Sequence, residues 1–331
     1  MNPIIIHPGI YRITLPLFGK KPGPVNIYLF KGKDTLTLLD TGTRLSAKVL
    51  VKALGKIGLG FKDIDRIVLT HGHVDHYGAA SAIIAENSNK TVVHAHPSDI
   101  QAIETGADAS ISSYRHFLKL TGTPQAVQLG ILPMFLWLRR MTRPCPVDAP
   151  LRNNQSLMFG DYPGRIIETP GHTRGSVCIF LEKEGILFSG DHILGHITPN
   201  ALPMLEKGHR LPIRISQKEF FESLRIVEAL NPKIVYPAHG KPIRTFSRTH
   251  QMYINSFEKR QQSIFEIIQN NPGKSIYAMA RDHFSNLSGP RFFLDLYLAI
   301  SEIYTHIQML EELGRVRATT TNNLLTVECI S

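Results

Sequence analysis

The chain has 331 residues, 43 % of them hydrophobic and 19 % charged, with 37 Lys and Arg against 27 Asp and Glu. That is enough core-forming side chain for one large domain or two ordinary ones, which excludes general disorder. Three cysteines far apart (Cys145, Cys178, Cys329) exclude a disulfide framework and a Cys-rich zinc module.

The N-terminal run MNPIIIHPGIYRITLPLF lacks a basic flank, and His7, Pro8 and Arg12 break the apolar core that a signal peptide needs, so a cytoplasmic protein is expected. From residue 10 to about 95, short strand-like runs alternate with helical ones. Strands are predicted at 11–16, 26–30, 36–39, 66–69 and 91–93, and helices near 45–54 and 78–85. Between 97 and about 145 the strand signal disappears and partly apolar helical segments take over, an inserted helical lid. Its most apolar stretch, residues 130–138, contains Pro133 and is about half the length that spans a bilayer, so no transmembrane segment is expected. Strands return at 165–167, 177–181 and 186–188. Residues 199–215, with Pro199, Pro203, Gly208 and Pro212, read as a loop. Ser216 and Glu219 then have the spacing of a capping box opening a helix through 230, and a last strand is expected at 234–236.

After about residue 246 the pattern is helical at 250–269, 275–283 and 292–313, stops at Gly314, and ends in two strand-like pieces around Asn322 and Asn323. Three helices and a hairpin make a winged-helix-like domain. The expected organisation is a catalytic part over 1–245, with the insertion at about 97–145, followed by that domain over 246–331. The net charge of +10 is unevenly spread, because the part from Phe246 onward holds eight basic and eight acidic residues. All of the excess therefore precedes residue 246, which points to an anionic substrate and disfavours a tail that reads nucleic acid. The sequence carries no sign of the oligomeric state.

The chemistry concentrates in Thr70 His71 Gly72 His73 Val74 Asp75 His76, directly after an apolar strand. A turn leaving a strand can aim His71 and His73 at one cation and Asp75 and His76 at a second beside it. Three later segments repeat the form of a ligand-type residue beside glycine at a strand end. They are Gly171 His172, Gly190 Asp191 and His239 Gly240. Imidazole and carboxylate donors suit Zn²⁺, and also Fe or Mn, at a site that keeps positions open for water.

In that order and context the pattern resembles the metallo-β-lactamase superfamily over residues 10 to about 245. The resemblance implies an α+β fold, the αββα sandwich. It also implies two divalent metal ions, His71, His73 and His172 on the first, Asp75, His76 and His239 on the second, and Asp191 bridging them. Asp40 matches the family's early aspartate, which holds the His71 loop from behind, and His192 is expected next to the ligands or against substrate. Two cations sharing a water would lower its pKa to near neutrality and give a hydroxide that attacks a carbonyl or phosphoryl group. Asp75 is placed to relay the proton. Cys178, mid-strand, reads as core rather than nucleophile.

The winged-helix-like tail is similar to the group that includes β-lactamase-like protein 2 and glyoxalase II-like hydrolases. The third motif departs from glyoxalase II proper, which usually has a second His where this chain has Ser176. The leading function is a dinuclear hydrolase of an ester or thioester. Its expected substrate contacts are Met134, Phe135, Trp137 and Leu138 for an acyl group and Arg139, Arg140 and Arg143 for an anionic carrier. The alternatives are a nuclease or phosphodiesterase, a lactonase, and, of another class, a non-enzymatic winged-helix regulator.

Overall fold

A computed structural model of the chain describes residues 2–17, 19, 21–88, 90–106, 111–203 and 212–330. Part of the predicted loop 199–215, Gly208 included, lies outside the described residues. The chain forms two compact units. The first comprises Met1–Asp108, Leu138–Pro199 and Ser223–Thr249, and the second Ala109–Trp137, Asn200–Glu222 and His250–Ser331.

The first unit is built on two sheets. Strands β1 (Ile4–His7), β2 (Ile10–Leu15), β3 (Val25–Lys31), β4 (Leu36–Leu39), β5 (Arg66–Val68), β6 (Val92–Ala95) and β7 (Ala149–Pro150) lie side by side in chain order. They pair antiparallel up to β4 and parallel from β4 to β7. The second sheet has β8 (Ser156–Phe159), β9 (Tyr162–Glu168), β10 (Val177–Leu181), β11 (Ile186–Gly190) and β12 (Ile234–Pro237), with only β11 and β12 parallel. Period-2 alternation fills two cores at once. In β3, Val25, Ile27 and Leu29 point to one side, where they meet Leu50 and Leu54 of α1 (Ala47–Gly55), Ile83 of α3 (Ala80–Glu86) and Ile103 of α4 (Pro97–Thr105). The short helix α2 (Val74–Tyr77) precedes α3. Tyr28 and Phe30, on the other face of β3, meet Ile166, Ile179, Phe188 and Tyr236 of the second sheet. Tyr28, Phe30 and Phe188 pack edge to face, with centroids 4.8 and 5.0 Å apart. This is the sheet-on-sheet sandwich that the sequence resemblance implied. Strands β1, β7 and β8 were not expected. They are short edge or near-edge pieces with little buried side chain, so their alternation is weak.

The second unit corrects the expected insertion. Helices α5 (Ile111–Leu120) and α6 (Gln125–Arg139) fall where a lid was predicted. Their buried faces, Phe117, Leu118, Ile131 and Leu132, join one core with Ile264 and Ile268 of α8 (Phe246–Asn270), Ile276 and Met279 of α9 (Ile276–His283), and Leu296, Ile300 and Ile303 of α10 (Phe292–Glu312). Most of the presumed lid is therefore a structural part of the C-terminal unit. An apolar helical stripe says that a helix is covered, not which core covers it. Strands β13 (Val316–Thr321) and β14 (Leu324–Cys329) form the expected hairpin. Asn322 and Asn323 have φ of 52° and 62°, as a two-residue type I′ turn requires.

Helix α7 (Ser216–Leu230) begins where the capping box was read, but its two residues are engaged otherwise. The Ser216 hydroxyl donates to the Leu202 carbonyl at 2.8 Å, and Glu219 pairs with Arg214. Among the described residues, no helix is long and apolar enough to cross a membrane.

Candidate metal centre

Every residue of the family pattern sits just past a strand end of the first unit. His71 follows β5, His172 follows β9, Asp191 follows β11 and His239 follows β12. His73 precedes α2, and Asp75 and His76 lie in its single turn. Crevices outside carboxyl strand ends are where loops can gather side chains over a rigid floor. At Gly190 (φ 51°) a Cβ would stand 2.8 Å from Cβ of Thr70, so the two loops can approach this closely only without one.

The seven side chains converge. His71 Nε2 and His172 Nε2 each lie 3.0 Å from His73 Nδ1. Two ring nitrogens crowd one, and His73 Nδ1 has at most one proton to share between them, so this is a pocket of acceptors that suits a cation. On the other side, His239 Nε2 is 3.4 Å from Asp75 Oδ2, and His76 Nε2 is 3.7 Å from Asp75 Oδ1. Asp191 faces both halves, its Oδ2 being 3.5 Å from His172 Nε2 and its Oδ1 3.5 and 3.7 Å from His239 Nε2 and His76 Nε2. Three sets could each hold an ion: His71, His73 and His172; His71, His76 and Asp191; Asp75, His76 and His239. His76 Nε2, His239 Nε2 and Asp191 Oδ1 are buried with no hydrogen-bond partner, a costly state for polar atoms that a shared cation relieves. The donors present thus fit a metal.

Burial and the neighbouring histidines press the His71 pKa well below its usual value, and burial with His172 takes His73 down to about 3. Both rings are neutral at ordinary pH. Burial opposes the charged forms of Asp75 and Asp191, but the surrounding histidines outweigh it and keep both carboxylates ionised. Burial likewise opposes protonation of His76, and Asp40, Asp75 and Asp191 together reverse the balance. A bound cation would take that proton's place.

Asp40 is buried beside Thr70 and His76. It accepts from the Thr70 amide and hydroxyl, both at 2.8 Å, and lies 2.9 Å from His76 Nδ1, which turns His76 Nε2 inward. His239 is aimed in the same way, its Nδ1 lying 3.0 and 3.1 Å from the carbonyls of Gly23 and Pro24. His192 is buried, and burial pushes its pKa down to about 3. Cys178 lies in β10, and burial raises its thiol to about 12, which removes it as a nucleophile.

Sequence reasoning missed Asp99, which is buried in the first turn of α4 and bonded to both the His71 and the His172 loops. It also missed the Tyr28 hydroxyl and the Asn26 amide, which donate to the Pro237 carbonyl before His239 at 2.7 and 3.2 Å. Of the expected substrate contacts, Met134 and Phe135 pack in the second unit. Phe135 stacks on Tyr114 with centroids 4.1 Å apart. Trp137 is 45 % exposed, and Arg139, Arg140 and Arg143 are exposed.

The family model described as Metallo-beta-lactamase superfamily matches residues 21–239. The chain is 26 % identical to the "Probable metallo-hydrolase YqjP" of Bacillus subtilis, covering 87 % of this chain and 88 % of that protein. It is 26 % identical to the "Beta-lactamase-like protein 2 homolog" of Drosophila melanogaster, covering 82 % and 80 %. It is 24 % identical to "Thioesterase pkgB" of Emericella nidulans, covering 80 % of this chain but 61 % of that longer protein. The crystal structure of the metallo-beta-lactamase family protein TTHA1429 from Thermus thermophilus superposes with a TM-score of 0.83 at 25 % identity, over 98 % of this chain and all of the other.

Proposed function

The chain belongs to the metallo-beta-lactamase superfamily of metallohydrolases, and we propose that it is a dinuclear hydrolase that cleaves an ester or thioester of an anionic acyl substrate. His71, His73 and His172 would hold one divalent ion, Asp75, His76 and His239 the second, and Asp191 both. The observation that carries this is the trio of buried, unpartnered atoms His76 Nε2, His239 Nε2 and Asp191 Oδ1, which converge with Asp75 on one point. With five histidines, two aspartates and no cysteine, Zn²⁺ is the ion we propose.

Ions held there supply Lewis acidity, lowering the pKa of water and polarising a carbonyl. The chain's own residues do the rest. Asp40, through Thr70 and His76, fixes the ring that faces Asp75 and Asp191. Asp75, ionised beside His239 and His76, takes the nucleophile's proton on a carboxylate oxygen and delivers it to the leaving sulfur or oxygen as the acyl bond breaks. No side-chain nucleophile is required.

Support for the acyl class comes from relatives named as thioesterases, pkgB and the "Atrochrysone carboxyl ACP thioesterase" of Aspergillus fumigatus, the latter aligned over 32 % of this chain. The ten excess positive charges, all before residue 246, favour an anionic carrier. The test is kcat/KM for a carrier-linked acyl thioester, a neutral lactone and a phosphodiester with the zinc-loaded protein. The thioester should be cleaved fastest. A phosphodiester as best substrate refutes the acyl assignment and favours a nuclease.

A further inference from the structure

Helix α4 reaches both loops that present the three-histidine set. Asp99, in its first turn, is 2 % exposed. Its Oδ2 accepts from the Gly72 amide at 2.8 Å and from the Thr173 hydroxyl at 2.7 Å, and its Oδ1 accepts from the Gly175 amide at 2.9 Å. Gly72 lies between His71 and His73, and Thr173 and Gly175 follow His172. One carboxylate therefore ties together chain segments a hundred residues apart in sequence, at the backbone units next to all three histidines. The fit is close, since a Cβ at Gly175 would stand 2.6 Å from the Asp99 carboxyl carbon and one at Gly72 3.2 Å from its Cβ.

The helix itself is braced. His96 Nδ1 accepts from the Ser98 amide at 3.2 Å, capping α4, while His96 Nε2 lies 3.1 Å from Glu168 at the end of β9, four residues before His172. With its Nδ1 accepting, the ring carries a proton on Nε2 and donates it to Glu168. Among the described residues, no hydrogen bond connects Asp99 to Asp75, His76 or His239, and the outer contacts of His76 and His239 run to Asp40, Gly23 and Pro24.

We propose that Asp99 is a positioning residue for one half of the metal centre. It fixes the spacing of His71, His73 and His172, and so the affinity of the ion they hold, while in the other half His76 and His239 are aimed by Asp40 and the Gly23–Pro24 carbonyls rather than by Asp99. This rests on the dinuclear reading above. An asparagine cannot replace the carboxylate, because its NH₂ must face at least one of the three donors.

The experiment is zinc binding by the full chain in chelator-buffered solution, measured without reference to turnover. Wild type should bind two ions, and fewer would count against the dinuclear reading rather than against Asp99. In an Asp75→Ala background, which leaves the three-histidine set intact, Asp99→Asn should weaken zinc binding by about 10- to 100-fold, the range for losing an outer-shell partner. In a His172→Ala background, Asp99→Asn should change the remaining affinity by less than about twofold. Thr173→Val, which removes one of the three donors, should weaken the same half by less than Asp99→Asn, and Thr173→Ser should restore it. This pair carries the test if Asp99→Asn does not fold. Equal weakening in both backgrounds makes Asp99 a general structural residue and overturns the proposal, as does no weakening in either.

Discussion

At Asp40 a single residue sets both backbone path and chemistry. Its φ is 60°, a left-handed value that asparagine tolerates and most other side chains do not. Its carboxylate joins Thr70 to buried His76. Asp40→Asn should stay folded and weaken the His76-side ion by about 10- to 100-fold in chelator competition. Asp40→Ala should add a stability loss of roughly 3 kcal/mol, since it strands a buried amide, a hydroxyl and a histidine, as urea unfolding would record. A second residue-scale test concerns His306, stacked on Phe257 and bonded to Gln261, whose pKa burial lowers to about 3. Below about pH 6.5 the unfolded chain takes up a proton that folded His306 refuses, so stability falls as pH drops from about 6.5 toward 3. His306→Phe should lessen that slope by up to about 1.4 kcal/mol per pH unit. An unchanged slope would mean that His306 is protonated in the fold. The seven-residue metal pattern was legible because its members recur beside glycines at strand ends. Asp99 was not, because its partners lie 27, 74 and 76 residues away and an acid in a helix's first turn has a sufficient local explanation.

At the scale of elements, strands such as β3 and β10 could be read because both faces are apolar or alternate cleanly over five or more residues. The C-terminal helices and hairpin could be read from the stop at Gly314 and from the Asn322–Asn323 turn. Which core α5 and α6 join could not, since it depends on contacts far away in sequence such as Gly130 against Phe293. A Cβ at Gly130 would meet the Phe293 ring at 2.1 Å. Gly130→Ala should therefore destabilise the protein by about 1 to 3 kcal/mol through overpacking. Most of that cost should vanish in a Phe293→Ala background, giving a measurable coupling energy. Additive effects in that double-mutant cycle would separate α6 from α10 and contradict the shared core.

For the whole molecule, the charge distribution and the donor cluster make separate claims. If the basic excess binds an anionic carrier, Arg139→Ala with Arg140→Ala should raise KM for a carrier-linked thioester and reduce its sensitivity to salt, with kcat nearly unchanged, because such contacts bind ground and transition states alike. A fall in kcat at constant KM would place these arginines elsewhere in the reaction. Whether seven histidine and aspartate side chains form one dinuclear centre is decided by elemental analysis of the folded protein after zinc loading and removal of excess metal. Two zinc ions per chain are expected, falling to one or fewer in Asp191→Ala. One ion or none in the wild type, or two retained in Asp191→Ala, would contradict such a centre.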